Sequence, residues 1–168
     1  MKRRDFIKHT FFVSIALAGC QSGTNNHLHS KIGKKIALEG SIIHVCPIER
    51  LKMKLKLADG EIIRVYNSDN KPFDKNKWDN KKVRINGKLE ETKLSREKIR
   101  TNFEDKKLLC HIDYSPCIDS KWIENHWKNN TAEKLLAKEN NKLLMKMEQT
   151  SRDYIQVFTI IADEISII

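Results

Sequence analysis

The chain has 168 residues, 39% of them hydrophobic and 32% charged. That balance suits one soluble globular domain with a core of its own and excludes a chain too polar to bury one. Lys and Arg outnumber Asp and Glu by 32 to 22, a net charge of +10. Such a surface attracts nucleic acid, anionic lipid headgroups or acidic polymers, but a charge run by itself reads first as a solvated face.

Residues 1–19 read as a targeting segment rather than as structure. Lys-Arg-Arg-Asp-Phe-Ile-Lys opens it, and an apolar run over 11–18 follows. That run is too short to span a bilayer. Leu17-Ala18-Gly19-Cys20 closes the segment. Arg3, Arg4, Phe6 and Lys8 resemble a twin-arginine export motif, with Lys2 where Ser or Thr is usual and Ile7 where Leu is usual. Leu-Ala-Gly-Cys is similar to the lipobox of bacterial lipoproteins at all four positions. The resemblance implies passage through the twin-arginine translocon, lipoprotein processing, and lipidation of Cys20 as a membrane anchor. It places the protein in the bacterial cell envelope, on the periplasmic or outer-membrane side. Residues 20–35 are polar and rich in Gly, Ser and Asn, the composition of a flexible tether. His27 and His29 lie in it as solvated side chains.

Residues 36–46 predict the first strand of a domain over 36–168. His44 and Cys46 stand two apart and so share a face, and Pro47 then interrupts the ladder. In 51–57, Leu51, Met53, Leu55 and Leu57 alternate with Lys52, Lys54 and Lys56. That pattern predicts a strand with one wet and one buried face. Asp59-Gly60 then predicts a hairpin into a third strand over 61–66. A polar loop with Pro72, Phe73 and Trp78 leads to a fourth strand, in which Val83, Ile85 and Leu89 share a face. Gly40 and Gly87 predict bulges or tight bends in a curled sheet.

Helices are predicted over about 95–149. Ser95 caps the first, with Ile99 and Phe103 one turn apart, and Asp119 or Ser120 opens the second. The second carries Trp122, Ile123, His126 and Trp127 on one stripe, and His126 reads as a satisfied core histidine. Asn130-Thr-Ala-Glu133 resembles a capping box before a helix with Leu136, Leu143 and Met147 on one face. Residues 154–168 are apolar on both faces near their middle. That predicts a last strand with the sheet interior on one side and helices on the other.

The expected fold is α+β, mainly β: a five-stranded antiparallel barrel with a helical insertion before the last strand. Its motifs, Leu-Glu-Gly-Ser-Ile-Ile, Met-Lys-Leu-Lys-Leu-Ala-Asp-Gly and Lys-Val-Arg-Ile-Asn-Gly-Lys-Leu, resemble small exported OB-like domains of bacterial envelopes. OB folds often bind single strands through stacked aromatics. Here Tyr66 is the one aromatic on the second and third strands, so nucleic acid is not an expected partner.

With Cys20 consumed by lipid, Cys46, Cys110 and Cys117 remain, an odd number for an oxidising compartment. His44 and His111 stand beside them. Thiolate and imidazole donors suit zinc or copper(I), so His44, Cys46, Cys110, His111 and Cys117 form a candidate metal set. A Cys110–Cys117 disulfide around a Pro-containing loop is the alternative, and buried inert thiols are the third. No nucleophile elbow, phosphate-cradling loop, His-Glu-x-x-His motif or Cys-x-x-Cys pair is present, so an enzyme is not expected. Three functions remain open. The first is an envelope binding module that holds or handles a metal. The second is a structural lipoprotein or one that meets an envelope protein partner. The third is a redox accessory using Cys46.

Overall fold

Alternation of apolar and polar residues sets this fold. The computed structural model describes residues 26–168; the readings on Arg3, Arg4, Phe6, Lys8 and Cys20 lie outside the described residues. Five strands carry the period of two: β1 (Lys35–Val45), β2 (Lys52–Lys56), β3 (Ile62–Asn67), β4 (Lys82–Ser95) and β5 (Tyr154–Ile167). Their order is β1-β2-β3-β5-β4, and β4 pairs back onto β1, so every strand has two neighbours. The buried members Leu38, Ile42, Met53, Leu55, Ile63, Val65, Val83, Ile85, Leu89, Phe158 and Ile160 fill one core inside this sheet.

The sheet is mixed, which corrects the expectation of an all-antiparallel one. β5 lies parallel to β3, with Val65 opposite Ile160, and antiparallel to β4. Parallel neighbours need a long crossover, and β4 with the helical insertion supplies it. The 57–61 turn is the expected hairpin, with Gly60 at φ 89°, where a side chain would be strained. The register shifts between Asn86 and Gly87, where β5 crosses so closely that a Cβ on Gly87 would collide with the Ile161 carbonyl.

Around the sheet lie α1 (Asn26–His29), α2 (Lys75–Trp78), α3 (Arg96–Glu104), α4 (Ser120–Lys128) and α5 (Ala132–Thr150). Leu28 of α1 is fully buried in the main core, so part of the stretch read as a tether packs on the domain. Ser95 and Asp119 cap α3 and α4 by accepting from Lys98 N and Trp122 N. Thr131 precedes α5 without a side-chain cap bond, so the predicted capping box does not form. Ile99 is buried, but Phe103, expected on the same face, is exposed. Leu143 and Met147 of α5 pack with Ile99, Leu94, Ile155 and Val157. β5 therefore carries Phe158 and Ile160 on its inner side and Ile155 and Val157 under the helices, as its two-sided apolar pattern predicts. Among the described residues no helix is long and apolar enough to cross a membrane.

Candidate functional site

A bulge in β1 creates the site. Leu38 and Ile42 point into the core, and strict alternation would send His44 and Cys46 there too. The pairing of β1 with β2 shifts register between Ile42 and His44, so Ile43 is the extra residue. The phase flips: Val45 enters the core, and His44 and Cys46 leave on the outer face. Bulges re-aim side chains in this way and are common beside functional sites.

A strap over residues 108–117 meets them there. It turns back on itself through an isolated bridge between Leu109 and Pro116, with Cys110 N donating to Ser115 O at 2.7 Å and Cys117 N to Leu108 O at 2.8 Å. The polar face of β2 and β3 holds it down. Lys54 Nζ donates to His111 O at 2.9 Å, and Arg64 Nε donates to Ile112 O at 2.9 Å. Lys52 Nζ reaches Ser115 Oγ at 2.7 Å, Asp113 Oδ1 at 3.2 Å and Glu49 Oε2 at 3.1 Å. Tyr66 donates its hydroxyl to Asp113 Oδ2. The lysine face of β2, expected to be wet, is so only at its end: Lys52 is 8% exposed under the strap, Lys54 is half-buried and Lys56 is exposed.

Burial alone would push the Asp113 carboxyl up. Tyr66, Lys52 and Ser115 outweigh it and hold the group below the usual carboxylate range. Burial likewise disfavours the Lys52 ammonium, yet Asp113 and Glu49 raise it. The Tyr66 hydroxyl is raised, first by burial and then by its bond to Asp113. This is a paired, hydrogen-bonded buried network, the arrangement in which charge can be kept from water.

The strap delivers Cys110 and His111 to Cys46 and His44. The two imidazoles meet with Nε2 atoms 2.6 Å apart, one ring donating and the other accepting. Burial lowers both pKa values, helped by Lys54 at His44 and by His44 itself at His111. Both rings are therefore held toward the neutral form, which carries a lone pair. Cys46 and Cys110 pack together with Ile112 in one buried cluster. The neighbouring Cys110 thiol holds Cys46 below the usual thiol range against the opposing effect of burial, with the backbone of Ile48, Glu49 and Arg50 adding to it. Cys110 is pushed up by the neighbouring Cys46 thiol and by burial.

Cys117 is set apart. Burial raises its thiol, and the Glu49 carboxylate adds to that effect. Cys46, Cys110 and Cys117 are all free thiols. All three line one cavity of about 220 Å³ with Glu49, His111 and Trp122. His126 is outside this group, bonded through Nδ1 to Thr131 Oγ1 at 2.7 Å and edge-on to Trp122.

Four of the five candidate ligands thus come together as two touching pairs. Among the described residues no three His, Cys, Asp or Glu side chains stand at the spacing of a preformed metal site. Ligands of one tetrahedral zinc at about 2.0–2.1 Å lie roughly 3.3 Å apart, so the imidazoles would have to part to share an ion. Sequence reasoning missed Glu49, Lys52, Arg64, Tyr66, Asp113 and Ser115, which hold the strap. The one available signal was a strand of alternating lysines that needs a partner once covered.

No protein-family model, curated protein or solved structure matches this chain.

Proposed function

We propose that the protein is a binding module of the bacterial cell envelope, an OB-like barrel tethered through lipidated Cys20, that holds a soft metal ion. His44 on β1, Cys46 just past its end, and Cys110 and His111 on the strap are the ligands, and zinc or copper(I) is the ion. One observation carries the reading: two donors from the end of a strand and two from a distant loop meet pairwise, imidazole on imidazole and thiol beside thiol. A His₂Cys₂ set matches the chemistry of either ion. The neutral rings and the lowered Cys46 thiol favour ligation, because a metal must displace protons from its donors. Cys117 stands by the same cavity as a further thiol.

The barrel reading rests on the strand order and on the return of β4 to β1. Such five-stranded Greek-key barrels serve as binding modules for varied ligands. The envelope reading rests on the basic, apolar and Leu-Ala-Gly-Cys order of the first twenty residues. Export in the folded state would deliver the site already built.

A second reading has its own support. The donors are not at metal spacing, and the Lys52–Asp113–Tyr66 network fixes the strap without an ion. In this reading the protein is a structural or interaction lipoprotein. Metal content decides between the two. The reduced full chain is equilibrated with zinc, dialysed and analysed for metal and free thiol. One ion per chain, lost in the His44→Ala/His111→Ala variant, supports the metal site. Full thiol content without retained metal supports the second reading.

A further inference from the structure

Cys46 and Cys110 are in contact, 1% and 4% exposed, and neither is bridged to anything. They come from residues 64 apart in the chain, so their meeting is a product of the fold and of the strap network. Buried thiols packed only as small apolar groups have no need of an opening, yet this pair lines a cavity of about 220 Å³. Its walls combine apolar Ile48, Leu109 and Trp122 with the Glu49 carboxylate and the His111 ring. Cys117 lines the same space but is not in the buried cluster that Cys46 and Cys110 form with Ile112.

We infer that Cys46 and Cys110 are an exchange-active dithiol that reduces a low-molecular-weight disulfide admitted by this cavity. Both cysteines line the cavity; the Cys46 sulfur is assigned as the attacking atom and that of Cys110 as the resolving one. The Cys46 sulfur bonds to one sulfur of the small disulfide, that S–S bond breaks, and the first small thiolate departs. The Cys110 sulfur then attacks the Cys46 sulfur of the mixed disulfide and expels the second. Two protein thiols are oxidised to one Cys46–Cys110 bridge. The small disulfide gains both electrons and leaves as two thiols, which carry away the two protons. The bridge itself does not depend on the metal reading. Its consequence rests on that reading: oxidation withdraws two of four ligands and releases the ion.

The reduced, chelator-treated full chain is incubated with oxidised glutathione, remaining thiols are alkylated, and peptides are mapped by mass spectrometry. The expected product is a Cys46–Cys110 cross-linked peptide pair, reversed by dithiothreitol, with Cys117 alkylated. Cys110→Ser should stop at a glutathione mixed disulfide on Cys46, and Cys117→Ser should leave the bridge intact. A Cys110–Cys117 bridge would overturn the inference. So would three alkylated thiols under conditions where the same chain oxidises in urea. The zinc content of the oxidised and reduced chains is read separately. A bridge in a chain that never held zinc removes the metal reading and leaves the exchange standing.

Discussion

His44 on β1 and His111 on the strap place their Nε2 atoms 2.6 Å apart, although 67 positions separate them in the chain. Two half-buried rings at that distance cannot both be charged without strong repulsion. Each is lowered by burial, and His111 further by His44. The unfolded chain therefore binds protons near pH 6.5 that the folded pair refuses.

Stability should follow that difference. A lowered folded pKa gives stabilisation that is present above pH about 6.5 and lost as pH falls through the folded values. The urea midpoint of the full chain should drop between pH 7.5 and pH 5. The His44→Gln/His111→Gln variant should show a shallower drop. An equal slope in both proteins would remove the imidazole pair as its source.

The strap depends on Asp113. Its side chain and that of Lys52 are each 10% exposed, and Tyr66, Lys52 and Ser115 all bond to it. Removing one partner of a buried pair costs roughly 3–5 kcal/mol, and Glu49 remains to hold part of the Lys52 charge. Asp113→Ala should therefore lose about 3 kcal/mol in urea unfolding and should speed alkylation of Cys110. Lys52→Met/Asp113→Leu should recover a good part of the loss, because no charge is then left buried alone. Unchanged thiol reactivity in Asp113→Ala would show that the strap is held by something else.

Much of the fold was legible because period-2 alternation is a direct consequence of pleated backbone. Leu51 to Leu57, Val83 to Leu89 and the two-sided apolar run of β5 announced their strands. The Asp59-Gly60 turn announced its hairpin. The parallel β3–β5 pairing was not legible, since it depends on where a helical insertion returns the chain. Phe73 and Trp78 looked like loop residues, but both enter the core, Trp78 at the end of α2 and Phe73 just before it, where its N–H donates to Arg50 O. At the site, His44 and Cys46 were correctly read as sharing a face, but the face they share is set by the extra residue at Ile43, which has no local signature. That Cys110 packs with Cys46 rather than with Cys117 is a tertiary fact: seven residues of spacing fit a Cys110–Cys117 bridge equally well.

Gly87 tests the close crossing of β4 and β5. A Cβ there would collide with the Ile161 carbonyl and press on Ala162 Cα, both backbone atoms that cannot swing aside. Gly87→Ala should destabilise by about 1–3 kcal/mol or more, the range for overpacked interiors. Gly33→Ala should also cost stability, but through its φ of 79° rather than through a clash, as nothing lies within 4 Å of it. A Gly87→Ala protein as stable as the parent would mean the sheet does not close this tightly.

Removing a single ligand should cut ion affinity beyond the roughly 10–100-fold lost when an outer-shell partner is removed. Competition with a chromophoric chelator should show this for Cys46→Ser and for His111→Ala. His126→Ala should retain parent affinity, since that ring is engaged with Thr131 and Trp122. Equal losses in all three would point to general unfolding.

The most direct test of the central claim is the visible spectrum of cobalt(II) added to the reduced full chain. Two thiolates and two imidazoles around one ion should give an intense tetrahedral spectrum with a thiolate charge-transfer band, saturating at one cobalt per chain. Cys46→Ser and Cys110→Ser should each abolish it, and Cys117→Ser should preserve it. A spectrum no different from aqueous cobalt, with all thiols reduced, would contradict the claim that these four side chains form one metal site.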